Sequence, residues 1–347
     1  MQHTVDNMER AKLIDQLQNS AEASIRWKVR VNVLGEDRNS PAIRKLEKEI
    51  AGSPRVAALL GRVDDQGRLQ ANVYAKWQGA QWVLMTLADI GYPRGAKWLQ
   101  PTADEVMSTW LAERFFREFT ADSKQDAIKK QRTAIPLMQG RHRTCASQQG
   151  NALYVVLALG LEDERIHQLA ERLLYWQWPD GGWNCDKDPD ADTSTFIHTL
   201  WAMRGLHLYA QRTGDKKAKQ AVARATEVFL TRRLYKRARD GAVIREEFTK
   251  LHYPLYWHYD ILGALKVFAE IGVTKDARLQ DALMLLKSKE LLAGGWPAES
   301  KYYTKVSNQI GLGTDYVGWG GTSTKKMNEW VTADALYVLK RFGELKV

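Results

Sequence analysis

The chain has 347 residues, of which 44% are hydrophobic, and it carries a formal net charge of +10. This length is sufficient for one large core or two ordinary domains. No stretch approaches the roughly 20 consecutive apolar residues of a membrane helix, and residues 1–21 lack the apolar segment of a secretion signal. The composition therefore argues against a membrane-spanning protein and predicts a soluble, cytoplasmic one.

The cysteine content and the net charge exclude few classes of protein. The two cysteines, Cys145 and Cys185, are too few for a disulfide framework and suit a reducing compartment. A positive net charge favours anionic partners in general. The basic residues form no single arm or tract, so there is no strong nucleic-acid signal, while acidic polysaccharides, diphosphates and simple solubility remain open.

One kind of segment recurs along the chain: an aromatic or polar start, apolar residues at helical spacing, and a terminal glycine. The copies cover residues 24–35, 76–91, 148–160, 193–205, 255–272 and 329–343. Glycine readily adopts the left-handed conformation that ends many helices. The pattern therefore predicts six helices of the same type, each closed by its glycine.

More charged, amphipathic stretches lie between these segments and are typical of outer helices. They cover residues 41–50, 103–119, 162–176, 216–235 and 277–292. The terminal glycines recur at irregular intervals, which excludes a tight solenoid. Apolar helices that alternate with amphipathic ones predict an all-α fold, an (α/α)6 toroid with inner and outer rings of helices, formed as one domain by residues 1–347. Residues 120–133 and 300–326 are the weakest helical predictions and are expected to be loops or short helices, with glycines that would permit a lid.

The stretch LLYWQWPDGGW, residues 173–183, resembles the QW motif of squalene and terpene cyclases. Residues 285–299 repeat the GGW without the glutamine, and TSTFIHTLWAM resembles the inner helix that follows such a motif. The chain thus resembles the superfamily of terpenoid cyclases and protein prenyltransferases, from about residue 76 onward. It is most similar to bacterial single-domain prenyltransferase or squalene-oxidase-repeat proteins that share GGWNCD, HYPxYWHYD and ADALYVL strings.

The resemblance implies structural roles for the QW residues. Gln177 would cap a helix end, Gly181 and Gly182 would permit a tight turn, and Trp183 would stack between neighbouring hairpins. We therefore interpret this stretch mainly as a connection that holds the fold together.

The catalytic signatures of the characterised families are incomplete in this chain. Class II cyclases protonate an alkene with the middle acid of DxDD, whereas Asp190 and Asp192 here leave the motif one carboxylate short. Protein prenyltransferases hold zinc with an Asp-x-Cys pair and a distant histidine. At the matching positions Asp192 is followed by Thr193 and Ser194, without a thiolate, while His258 falls where the distant histidine would be.

The segment LHYPLYWHYD, residues 251–260, concentrates groups suited to acid-base chemistry. A helix beginning near Pro254 would place His258 and Tyr259 on one face, and Tyr256 and Asp260 on another. His258 is then the candidate acid or base, oriented by Tyr256 or Asp260. In the alternative, the aromatic residues fill the ring and His258 bonds locally.

GRHRTCASQQGN, residues 140–151, places basic side chains directly before a predicted inner helix. Arg141, His142 and Arg143 would combine with the helix dipole to bind a phosphate, diphosphate or carboxylate, with Gln149 nearby. A solvated basic loop is the alternative. Cys145 is either activated by the same field or simply buried.

GGWNCDKD, residues 181–188, offers a second ligand set. Cys185, Asp186 and His258, with His142 or His198, would form a mixed-ligand zinc site, although no CxxC or HExxH spacing accompanies them. The starts of the inner helices supply an aromatic and partly basic wall.

Three functions remain open. The first is a cyclase- or prenyltransferase-like enzyme on an isoprenoid-like ligand. The second is a carbohydrate lyase or glycosidase that uses Tyr256 and His258. The third is a non-catalytic binding module for a small molecule. The candidate catalytic residues are His258, Tyr256, Asp260 and Asp192. The candidate ligand-binding residues are Arg141, His142, Arg143, Gln149, Lys76, Trp77, Trp82, Trp257 and Glu299.

Overall fold

The computed structural model describes residues 7–307 and 311–346, and these residues are mostly helical. The first seven α-helices are α1 (Asn7–Gln18), α2 (Ala23–Trp27), α3 (Pro41–Ala51), α4 (Pro54–Leu60), α5 (Ala80–Asp89), α6 (Gln100–Trp110) and α7 (Lys124–Lys130). The next seven are α8 (Ala146–Leu159), α9 (Arg165–Tyr175), α10 (Phe196–Thr213), α11 (Lys216–Leu230), α12 (Ile261–Ile271), α13 (Gln280–Ser288) and α14 (Glu329–Arg341). Among the described residues, no helix is both long and apolar enough to cross a membrane. The all-α class is confirmed.

The strands are short and few. They are β1 (Glu118–Thr120), β2 (Ile135–Met138), β3 (Arg141–His142), β4 (Thr304–Lys305) and β5 (Thr314–Asp315). β1 pairs with β2 in parallel, with Glu118 opposite Ile135, and β2 pairs with β3 antiparallel, with Leu137 opposite His142. β4 and β5 form a separate parallel pair. The weak helical segment 120–133 therefore contains one short helix, α7, beside a small sheet.

The chain divides into two compact units, each assembled from separate parts of the sequence. Unit 1 comprises Met1–Val63, Tyr74–Pro93 and Arg232–Val347. Unit 2 comprises Asp64–Val73 and Arg94–Thr231.

Four apolar helical segments form the centre of unit 1: α2 with its π-helical continuation Lys28–Val33, α5, α12 and α14. α14 packs against both α12 and the π-helix. Local signals define where the surrounding helices begin. Ser40 and Ser53 each accept a hydrogen bond from a backbone N–H in the first turn of α3 and α4, and a proline follows each serine.

A buried network of charges joins these four segments. The ammonium group of Lys28 lies 2.7 Å from Asp89 and 3.0 Å from Asp334. The ammonium group of Lys266 lies 2.6 Å from Asp89 and 3.0 Å from Asp334. Each carboxylate therefore pairs with both lysines. The hydroxyl of Tyr253 also donates to Asp89 at 2.7 Å.

Unit 2 is organised around α8 and α10, which pack closely along their lengths, with α9 and α11 beside them. The predicted apolar segment 148–160 and the amphipathic segments 162–176 and 216–235 correspond to α8, α9 and α11, so these helices are confirmed.

Two GGW turns make the same connections, one in each unit. The indole nitrogen of Trp183 donates to the carbonyl of Leu173, and its backbone N–H donates to the Thr199 hydroxyl. Trp296 makes the equivalent pair of bonds, to Leu286 and to Thr332. Both tryptophans are fully buried. Gln177 adds a brace in the first copy, because its amide nitrogen donates to the carbonyls of Gly181 and Ala221.

Five of the six predicted terminal glycines adopt a positive φ, between 68° and 88°. They are Gly35, Gly91, Gly160, Gly272 and Gly343. The prediction for Gly205 was wrong, because α10 continues past it and ends before Gly214, whose φ is 75°. Gly205 instead allows close packing: a Cβ there would lie 2.2 Å from the carbonyl oxygen of Gly150 in α8.

Replacing Gly205 with alanine should therefore force α8 and α10 apart. We expect Gly205→Ala to lower the free energy of unfolding by about 1–3 kcal/mol, a typical cost of overpacking, measured by urea denaturation. Gly52→Ala is the matched control, because its Cβ would meet nothing closer than 3.7 Å and its φ of −86° suits any residue. Equal losses in both variants would contradict the role of this contact.

Candidate functional site

Chemically distinctive groups gather in one cluster in each unit. The cluster in unit 2 consists of Cys145, Cys185 and His198. Cys145 is the residue before the first turn of α8, Cys185 lies in the loop after the GGW turn, and His198 lies in the first turn of α10. Three separate parts of the chain thus supply this thiol–imidazole cluster.

The donor atoms of the thiol–imidazole cluster all lie within 4.8 Å of one another. The Sγ atom of Cys185 is 2.9 Å from Nε2 of His198, and Nδ1 of His198 is 3.0 Å from the hydroxyl of Ser147. Asp186, a predicted metal ligand, is not in this group, and its carboxylate accepts a hydrogen bond from the backbone of Asp188. His258, another predicted ligand, belongs to unit 1, whereas Cys185 and His198, which were also named as candidates, are members of the cluster.

The environment shifts the pKa of every member of the cluster. A hydrogen bond from Cys185 lowers the pKa of Cys145 to about 7 despite burial, with a contribution from the positive charge of Lys187. That hydrogen bond, together with burial, raises the pKa of Cys185. Burial, and then the charge of Lys187, lowers the pKa of His198 to about 4. Near neutral pH the cluster therefore holds a neutral imidazole and one readily ionised thiol.

The predicted anion-binding residues are largely engaged in internal contacts. Arg143 is only 1% exposed, donates to the carbonyls of Ala191 and Pro189, and lies over the ring of Trp178. Arg141 donates to the carbonyl of Gln139. Arg143 thus braces the loop that carries Cys185.

The remaining predicted residues of unit 2 differ in their surroundings. The imidazole of His142 lies 3.2 Å from the carboxylate of Glu118. Asp192, a predicted catalytic acid, is exposed and accepts a hydrogen bond from the hydroxyl of Thr193. Gln149 is 1% exposed, and neither atom of its amide has a hydrogen-bonding partner among the described residues.

The cluster in unit 1 surrounds segment 251–260, and here the predicted helix was wrong. α12 begins only at Ile261, with Asp260 as its N-cap, and Tyr256 has a φ of +48°. A residue in the left-handed region, such as Tyr256, cannot continue an α-helix. The residue before a proline, here Tyr253, is also biased away from the helical conformation. His258 and Tyr256 therefore do not lie on faces of a helix.

Packing holds Tyr256 in its left-handed conformation. Its ring stacks on Trp77, with ring centroids 4.1 Å apart and planes 8° apart, and it meets Trp82 edge-on. Its hydroxyl donates to Asp315, which also accepts a hydrogen bond from Trp319 at 2.9 Å. Burial raises the pKa of both Tyr256 and Asp315.

His258 lies in a stack of rings beside a lysine. Its imidazole stacks on Tyr302, with centroids 3.5 Å apart, and on Trp257 at 4.4 Å. Burial lowers the pKa of His258 to about 4. The ammonium of Lys76 lies 4.6 Å from the centroid of Trp257 and 5.7 Å from that of Trp77, and burial lowers its pKa. We call Lys76, Trp257, His258, Tyr302 and Tyr74 the aromatic–lysine surface, and each is partly exposed.

A second histidine, His252, which the sequence analysis did not assign, bonds to Asp260, one of the two partners expected for His258. Nδ1 of His252 lies 3.0 Å from Asp260, and its Nε2 lies 2.8 Å from Glu247. Glu299, a predicted ligand-binding residue, is paired with Lys289 at 2.8 Å. The aspartate directly before the apolar run of α12 was a signal for an N-cap, but its bond to His252 could not be read from spacing.

The stability contributed by His252 should depend on pH. Burial alone would lower its pKa, but the hydrogen bonds and charges of Asp260 and Glu247 outweigh burial and raise it. A raised pKa stabilises the fold fully below the ordinary histidine pKa of about 6.5, and this contribution is lost as pH rises through the folded-state value. We expect His252→Gln to cost more unfolding free energy at pH 6 than at pH 9.

Urea denaturation at both pH values would measure this difference, with His167→Gln, whose side chain is half exposed, as the control. A cost for His252→Gln that is the same at both pH values would show that the imidazolium is not what stabilises this contact.

Neither the known protein-family models nor the curated protein sequences give a match to this chain. The geometry of the two clusters is therefore the basis for any statement about function.

Proposed function

We propose that the chain is a terpenoid cyclase- or prenyltransferase-like protein that binds a hydrophobic or amphiphilic ligand with an anionic head group. In this proposal the helices belong to one (α/α)6 toroid domain over residues 1–347. The observation that carries the proposal is the aromatic–lysine surface of unit 1, where a partly desolvated ammonium lies among partly exposed aromatic side chains.

The partly exposed rings suit an apolar chain. Trp257, His258, Tyr302 and His252 are stacked in series, so neighbouring rings cover the faces of His258 and Tyr302. A hydrocarbon can cover the parts of Trp257, His258 and Tyr302 that stay exposed and remove apolar area from water. Tyr256 and Trp77 behind them are buried and fixed by stacking. The surface is therefore preorganised, which lowers the entropic cost of binding.

Lys76 suits the anionic head group. Within the part of the chain that the structure describes, no carboxylate lies within ion-pairing distance of Lys76, and its ammonium contacts only ring faces. A partly buried cation without a counterion gains much from an anionic partner. A diphosphate or carboxylate is thus the expected head group.

The proposal concerns binding and assigns no reaction. Two of the predicted catalytic groups make internal hydrogen bonds. The hydroxyl of Tyr256 donates to Asp315, and the carboxylate of Asp260 accepts from His252. These bonds favour a structural role for both residues. A lyase or glycosidase built on Tyr256 has no specific support from this arrangement.

Ligand binding can be tested with farnesyl diphosphate and farnesol, followed by tryptophan fluorescence and calorimetry. We expect Lys76→Ala to weaken farnesyl diphosphate about tenfold or more, because a charge-assisted hydrogen bond contributes roughly 1.5–3 kcal/mol, and to leave farnesol unchanged. Trp257→Ala should weaken both ligands.

The matched control is Lys301→Ala, which removes an exposed lysine that also lies over a ring, that of Tyr303. It should not change either affinity. Absence of binding by the parent protein, or equal losses in the Lys76 and Lys301 variants, would refute the proposal.

A further inference from the structure

We infer that Cys145, Cys185 and His198 in unit 2 form a binding site for a thiophilic divalent cation, with zinc as the expected ion. This ligand set differs from the one that the sequence predicts, which includes Asp186 and His258. It follows from the positions of the three side chains and does not depend on the ligand-binding function proposed for unit 1.

The spacing of the donor atoms fits a tetrahedral ion. Zinc binds thiolate sulfur at about 2.3 Å and imidazole nitrogen at about 2.0–2.1 Å, so neighbouring ligands lie roughly 3.5–3.8 Å apart. In the structure all three donor atoms lie within 4.8 Å of one another, and Sγ of Cys185 lies 2.9 Å from Nε2 of His198. Side-chain movements on the order of 1 Å would accommodate the ion.

The histidine is oriented as a metal ligand. A metal-bound imidazole usually bonds through its second nitrogen to a neighbouring polar group, which fixes the ring. Here Nδ1 of His198 lies 3.0 Å from the hydroxyl of Ser147, and Nε2 points at Cys185. The second bond of the imidazole is therefore in place.

The loop that carries Cys185 is braced on both sides of the cysteine. The backbone of Trp183 is held by Thr199, and the side chain of Asn184 donates to the carbonyl of Thr193. Arg143 holds the carbonyls of Ala191 and Pro189. These contacts, with the close packing of α8 on α10, give the three ligands a fixed spacing, as a preorganised metal site requires.

Three protein ligands leave one tetrahedral position open, which is the arrangement of catalytic rather than structural zinc sites. Gln149 follows Cys145 by four residues and therefore lies on the same side of α8. Its amide is fully buried and without hydrogen-bonding partners among the described residues, which is an unfavourable arrangement. A polar molecule in the fourth position would give this amide a partner.

Metal content of protein purified without chelator, measured by elemental mass spectrometry, tests this inference. We expect about one zinc per chain in the parent, as for a three-ligand site, and at least a tenfold loss in Cys185→Ser and His198→Gln. His142→Gln is the control, because His142 pairs with Glu118 and is not one of the three ligands. This variant should keep its zinc.

A spectroscopic titration keeps the test valid even if a variant fails to fold. Reduced, metal-free parent protein should bind one Co²⁺ with a thiolate charge-transfer band and the visible bands of tetrahedral cobalt. Failure of the reduced parent to give these bands, or a disulfide between Cys145 and Cys185 in protein prepared without oxidant, would overturn the inference. Loss of zinc should leave the affinity for farnesyl diphosphate unchanged, so this test and the test of the proposed function fail separately.

Discussion

The balance of two lysines and two aspartates at the centre of unit 1 is the constraint on which that unit depends. Lys28 is 1% exposed on its side chain, and it reaches carboxylates on α5 and α14. Apolar helices pack in many registers at similar cost, whereas a displaced ion pair would leave charges buried without partners. The network therefore selects one register. Through Tyr253 and Asp89 it also positions segment 251–260, and with it His252, Tyr256 and His258.

In unit 2, steric fit between α8 and α10 selects the register of the helices. Gly150 and Gly205 bring the backbones of α8 and α10 together, and no charge pair is needed at that contact. Cys145 precedes the first turn of α8 and His198 lies in the first turn of α10, so the separation of the two helices sets the distance between these side chains. The packing of Gly205 on Gly150 thus helps to set the spacing of the thiol–imidazole cluster.

The sequence predicts the helices well because their signals are local. Apolar periodicity and a terminal glycine locate α8, α12 and α14, and amphipathic periodicity locates α9 and α11. It fails at segment 251–260, where aromatic density suggested a helix but Tyr256 is held left-handed by stacking on Trp77. For the thiol–imidazole cluster the sequence indicates Cys185 and, as an alternative, His198, but it does not assign Cys145 as a ligand. The three residues come from distant positions, so no spacing motif connects them.

The two GGW turns differ in the length of chain between the tryptophan and its threonine partner. Trp183 lies 16 residues before its threonine partner, whereas Trp296 lies 36 residues before Thr332. The additional chain in the second copy carries Tyr302, which stacks on His258, and Asp315, which accepts hydrogen bonds from Tyr256 and Trp319. Both anchors are kept despite the longer connection. The longer connection thus supplies Tyr302 to the aromatic–lysine surface, so a change in this connection can alter the surface while the hydrogen bonds of Trp296 to Leu286 and Thr332 stay in place.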